Sequence, residues 1–118
     1  MAVRGIRGAT AVKADTSDAI LAGTRELLEA VVAANRVAID DIASITFTVT
    51  PDLKSEYPAR AARLLGWTNV ALIGATEMDV ATGLKRCIRV LLHVNSETPS
   101  AQIKHIYLHE AKALRPDR

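Results

Sequence analysis

Lys85-Arg86-Cys87-Ile88-Arg89-Val90-Leu91-Leu92-His93-Val94 reads as a buried strand. Successive strand side chains point to opposite faces, so Ile88, Val90, Leu92 and Val94 share one face, and all four are aliphatic. Cys87, Arg89, Leu91 and His93 face the other way. One guanidinium therefore sits in the middle of an otherwise apolar ribbon. Arginine keeps its charge, and a buried charge is costly unless paired. Arg89 needs an anion, from this protein or from a ligand, unless the strand lies at a sheet edge and the side chain reaches water. The segment alone leaves both readings open.

Further strands flank it in the sequence. Val3 to Thr10 has Val3, Gly5, Arg7 and Ala9 on one face, so Arg7 has empty space on either side of it. Glycines weaken a strand and mark a close approach or a bulge; an exposed, bulged edge is the plainer reading here. Ser44 to Thr50 alternates cleanly, with Ile45, Phe47 and Val49 on one face and hydroxyls on the other. It ends at the turn signal Pro51-Asp52. Asn69 to Ile73 is a short strand; Gly74-Ala75-Thr76 then lead to Glu77, at a strand end where polar site groups are common. His105 to Leu108 is a strand whose Tyr107 faces away from Ile106 and Leu108.

The helices are equally legible. Asp15-Thr16-Ser17-Asp18 supplies hydroxyl caps and a first-turn acid. Ile20, Thr24, Leu27, Leu28, Val31 and Asn35 then trace one face of a helix over 18–34, with Asn35 as its left-handed stop. Pro58 opens a second helix and Gly66 closes it. Arg60 and Arg63 share a face of that helix with no acid inside it, which ordinarily means a solvated face. Short helical turns are expected at 40–43 and 98–104, and 114–118 is a tail. The order is β-α-β-α-β-β-α-β. It predicts one domain over 1–118, of mixed α/β (α+β) class, with a single mixed sheet and helices on one face.

At 118 residues, with 49% hydrophobic and 24% charged, the chain can build one core. A net charge of +2, with one Phe, one Trp and two Tyr, offers no basic aromatic surface for nucleic acid. A single Cys excludes an internal disulfide and a cysteine-rich metal site, and suits a reducing compartment. No leader pattern and no bilayer-length apolar run are evident, so the expected location is the cytoplasm, with no membrane partner.

The chemistry-bearing inventory is unusual. Cys87 lies among aliphatic residues, as inert buried thiols do. Gly5 and Gly8 lack the spacing of a phosphate loop. His105 and His109 would suit a metal only on a helix, and they fall in strand-like sequence. What remains is arginine, at Arg7, Arg60, Arg63, Arg89 and Arg115, with one carboxylate, Glu77, and one phenol, Tyr107. That set suits a small polar dianion better than proton shuttling.

Several blocks together resemble a known family. They are 4–10 (RGIRGAT), 50–53 (TPDL), 57–59 (YPA), 77–80 (EMDV), 83–90 (GLKRCIRV) and 105–108 (HIYL) through 114–117 (LRPD). In order and spacing, from Val3 to Asp117, these resemble the monofunctional bacterial chorismate mutases that form a trimeric pseudo-α/β-barrel. The all-helical chorismate mutases are nothing like it.

The resemblance implies an isomerase of aromatic amino acid biosynthesis. Chorismate, a dicarboxylate, would rearrange to prephenate by a Claisen shift, with no covalent intermediate and no cofactor. It implies that Arg89 reaches the ether oxygen and a carboxylate, that Arg7 and Tyr107 grip a carboxylate, and that Glu77 accepts the ring hydroxyl. Tyr57, Arg60, Arg63, Ile73, Gly74, Leu114 and Arg115 would surround the substrate and the pocket mouth. It also implies a homotrimer with sites between subunits. Gly74 departs from the family, which often has a small polar side chain there; Tyr57 is often Phe and Arg60 often Lys. The chain also stops at Arg118, before any longer C-terminal tail of the family. Two other readings share the fold: an enamine/imine deaminase, which the blocks around Arg7 and Arg89 match less well, and a carboxylate-binding trimer without turnover.

Overall fold

A computed structural model of the chain describes residues 2–114. Its elements are β1 (Val3–Ala11), α1 (Ser17–Asn35), β2 (Ile42–Val49), α2 (Ala59–Leu64), β3 (Ala71–Thr76), β4 (Cys87–Asn95) and β5 (Ile106–Tyr107). Short 3-10 segments follow at Ile39–Asp41, Ser100–Gln102 and His109–Leu114. The first two are the expected helical turns. The third, the longest at six residues, has no counterpart in the sequence reading. Among the described residues no helix is long and apolar enough to cross a membrane.

The strands form one mixed sheet in the order β3-β2-β4-β1-β5. β4 runs antiparallel to both β2 and β1, while β3 lies parallel to β2 and β5 parallel to β1. The opening stretch is thus the central strand, and the sheet-edge reading of Arg89 is corrected. The bulged-edge reading of β1 is corrected as well: it pairs with β4 without a break from Val3 opposite Asn95 to Ala11 opposite Cys87.

Both helices cover one face. Leu27, Leu28 and Val31 of α1, with Ala62 and Trp67 at α2, pack on Ile6, Ile45, Phe47, Val90, Leu92 and Val94. The aliphatic side of β4 is therefore the core side, as its alternation predicts. Each large apolar side chain buried this way contributes about 1.5–3 kcal/mol. Gly8 is needed for the close approach of α1 to β1. A Cβ there would stand 3.0 Å from Val90 Cγ2 and 3.1 Å from both Leu27 Cδ1 and Val31 Cγ2.

Thr16 caps α1, its hydroxyl accepting the Ala19 N–H at 3.1 Å. The left-handed residue that ends α1 is Arg36, at φ 51°, rather than Asn35. Asn35 stays helical because its amide clamps the Lys104 backbone, donating to the carbonyl at 2.9 Å and accepting the N–H at 2.8 Å. Gly66 closes the α2 turn at φ 86°, where a side chain would be strained.

Candidate active site

The face of the sheet opposite α1 and α2 is covered by no α-helix among the described residues. Residues directly opposite one another on neighbouring strands share a face. One row runs Ala75, Thr48, Arg89, Ala9, Tyr107, from β3 across to β5. The adjacent row runs Ile73, Thr46, Leu91, Arg7. Arg89 is therefore central, flanked by two short side chains, and Arg7 lies one row away. The arginine that broke the apolar pattern of β4 is half-buried on the bare side of the sheet.

Glu77 follows the last residue of β3, and its N–H donates to the Val49 carbonyl at 2.8 Å, which extends the pairing with β2. Its carboxylate Oε2 accepts the Thr48 hydroxyl at 3.0 Å and stands 3.7 Å from Arg89 Nη1. The second distance is an ion pair too long for a hydrogen bond. The guanidinium of Arg7 has no partner among the described residues, and the Tyr107 hydroxyl is buried without a hydrogen bond. The backbone N–H of Arg7 donates to His105 Nδ1 at 3.0 Å, which ties β1 to the start of β5.

Arg89 and Glu77 line a cavity of about 170 Å³ with Cys87, Met78, Val80 and Leu114. The Cys87 thiol is pushed up to about 11, by burial first, with Arg89 opposing. It is accordingly a neutral thiol rather than a nucleophile. Arg115 lies outside the described residues.

The other expected residues gather elsewhere. Tyr57 is 77% exposed and lines a second cavity of about 490 Å³ with Phe47, Val49, Gly74 and Thr76. Phe47 belongs to the helix side of the sheet, and Gly74 is its register partner. A Cβ on Gly74 would meet only the Phe47 carbonyl, at 4.0 Å. Arg60 donates to Glu56 Oε2 at 2.8 Å, so the acid missing from the helix sits one turn before it. Arg63 is exposed, with no partner among the described residues. Ile73 projects from the bare face of edge strand β3 and is 65% exposed. Within one chain, then, Arg89, Glu77 and Leu114 come together, Arg7 and Tyr107 share their sheet face, and Tyr57, Arg60, Arg63 and Gly74 stand apart.

The family model of chorismate mutase type I matches residues 3–118. The chain belongs to the chorismate mutase type I family. Two curated relatives, each named chorismate mutase AroH, agree. The one from Bacillus subtilis (strain 168) is 45% identical over 99% of this chain and 93% of its own length. The one from Thermus thermophilus is 48% identical over 98% and 95%. A solved chorismate mutase from Clostridium thermocellum superposes with a TM-score of 0.91 at 49% identity, covering 92% of this chain and 97% of that one. As a chorismate mutase the protein is an isomerase, and chorismate is the substrate its family implies.

Three features of this mutase escaped the sequence reading. Thr48 looked like one more hydroxyl of an alternating strand, and only the β2–β3 register brings it to Glu77. His105 has no local signal for its bond to Arg7. Asp15 carries a cap-like signature, yet its carboxylate accepts the N–H groups of Lys54 and Ser55 at 2.8 and 3.0 Å. Beside it Ser17 donates to Glu56 at 2.8 Å, so the N-terminal end of α1 holds the loop that presents Tyr57.

Proposed function

We propose that chorismate rearranges to prephenate on the bare sheet face around Arg89, in a site completed by a second copy of the chain within a homotrimer. The observation that carries this reading is the placement of Arg89. It lies on the central strand, flanked by Ala9 and Thr48, with its guanidinium 3.7 Å from Glu77 rather than hydrogen-bonded to it. A permanent cation so placed is available to a dianion.

The reaction is unimolecular. The ether C–O bond breaks as a C–C bond forms between the two ends of the same molecule. The protein has two tasks: to hold the compact conformer, and to stabilise negative charge as it develops on the ether oxygen. Arg89 donates to that oxygen and to a carboxylate. Arg7 and the Tyr107 hydroxyl, both without a partner among the described residues, take up a carboxylate. Glu77 accepts the ring hydroxyl and complements the slight positive charge of the ring fragment. A preorganised donor aimed at developing charge is worth roughly 3–4 kcal/mol, or about 10²–10³ in rate. Restriction to a near-attack geometry supplies much of the rest.

The second copy answers the division of the residues. Tyr57, Arg60 and Arg63 lie on the helix side of the sheet, away from Arg89, and enter a site only from a neighbouring chain. Exposed Ile73 and Leu91 on the bare face are the apolar surface such packing would cover. Arg63, with no partner among the described residues, is then a free cation at the mouth, while Glu56 already neutralises Arg60. Ile73 lines the pocket from the bare face and Gly74 from the side of Tyr57, and the resemblance assigns Leu114 and Arg115 to the mouth.

The test is to add chorismate to the purified protein and follow its loss and the appearance of prephenate, with Arg89→Ala alongside. Turnover that disappears in the variant supports the assignment. Undiminished turnover in Arg89→Ala would overturn it.

A further inference from the structure

We infer that Thr48 is a positioning residue that holds the Glu77 carboxylate off Arg89 and so keeps the guanidinium free for substrate. The inference rests on the proposed roles of Glu77 and Arg89. Thr48 lies on β2 directly opposite Arg89 on β4 and opposite Ala75 on β3, and Glu77 stands two residues beyond Ala75. The hydroxyl donates to Glu77 Oε2 at 3.0 Å. Arg89 Nη1 faces that same oxygen at 3.7 Å.

An arginine and a carboxylate this near, with nothing to hold them, close into a forked pair with two parallel hydrogen bonds of about 2.8 Å. Such a pair would occupy both charges. A dianion would have to break it before reaching Arg89, and the ring hydroxyl would meet a carboxylate already engaged. The Thr48 hydroxyl binds the oxygen nearest Arg89 and anchors it to β2, leaving Oε1 with no partner among the described residues. The strand itself does not require that hydroxyl. Valine has the same branched shape and an equal preference for strands, so the oxygen of Thr48 is explained by what it bonds.

The experiment is a cycle of Thr48→Val, Thr48→Ser and Glu77→Gln, read by steady-state chorismate kinetics. Thr48→Val should lower kcat/KM about tenfold, the weight of a hydrogen bond to a charged group. Thr48→Ser should recover most of that loss. In a Glu77→Gln background the valine change should add little, because a neutral amide has no ion pair to close. Wild-type kcat/KM in Thr48→Val would overturn the inference, and so would an undiminished valine effect in the Glu77→Gln background, which marks a purely structural loss. Unchanged kcat/KM in Glu77→Gln alone would instead overturn the role of Glu77, and the inference with it. If the valine variant does not fold, Thr48→Ala set against Thr48→Ser asks the same question.

Discussion

The Arg89 guanidinium and the Glu77 carboxylate stand 3.7 Å apart, on either side of strand β2. Opposite charges held near each other without a hydrogen bond can serve two parts of one small molecule. Arg89 can meet the oxygen that gains negative charge, and Glu77 can meet the hydroxyl on the fragment that loses it.

Arg89 and Arg63 of the proposed site should therefore separate kinetically. Arg89→Ala should lower kcat by about 10²–10³, because its interaction strengthens as charge develops. Arg89→Lys should recover little, since a lysine cannot reproduce the planar fork. Arg63→Ala should chiefly raise KM. Equal kcat losses in the Arg89 and Arg63 alanine variants would refute the division of roles.

Sites shared between chains predict complementation. Arg89→Ala and Arg63→Ala subunits, each impaired alone, should regain activity when unfolded and refolded together. In random trimers roughly a quarter of the interfaces would pair an intact Arg89 with an intact Arg63. Activity no higher than the mean of the separate variants would place both residues in one chain's site.

Gly8→Ala should destabilise the fold by about 1–3 kcal/mol through overpacking. The new methyl would press on Val90, Leu27 and Val31 at 3.0–3.1 Å. Urea unfolding at constant m-value measures the loss. A variant as stable as the parent would mean that α1 retreats from β1 without cost.

The Asp15 clamp predicts a pH dependence. The Lys54 backbone N–H, the largest cause, holds the Asp15 carboxyl below its ordinary 3.8, with burial opposing. A carboxylate with a depressed folded pKa stabilises the fold above its unfolded pKa, and that contribution is lost as pH falls through the lower folded value. Asp15→Asn should thus be less stable than the parent at neutral pH, and the gap should close as pH falls below 3.8 and through the lower folded value. A gap independent of pH would assign the effect to shape rather than charge.

Cys87 should be inert. The residue is 3% exposed and burial pushes its thiol up to about 11, so thiolate is scarce at about pH 8. Iodoacetamide should leave turnover unchanged and label the thiol only after unfolding in urea. Labelling of the native protein at the unfolded rate would show that the cavity beside Arg89 opens freely.

Much of the architecture was legible because its signals are local. Ile88, Val90, Leu92 and Val94 alternate along β4, and Ile20, Thr24, Leu27, Leu28 and Val31 recur at helical spacing; all nine are buried as the periods require. Asn35 misled because a side chain suited to a left-handed stop was used instead to bind Lys104. The end of β3 moved because Gly74 and Ala75 carry weak strand preference, yet residues 74–76 gain partners from Phe47, Thr48 and Val49.

By itself the sequence determined the elements, the mixed class and the family blocks, and it singled out Arg89 as a charge out of place. Periodicity and motif spacing depend only on neighbours along the chain. Only the tertiary structure decided that β4 is central, that Arg89 shares its bare face with Arg7, Thr48 and Tyr107, and that Tyr57 and Arg63 stand apart from them. Those relations depend on strand order and register, which are settled by long-range pairing and by the burial of one sheet face under the helices.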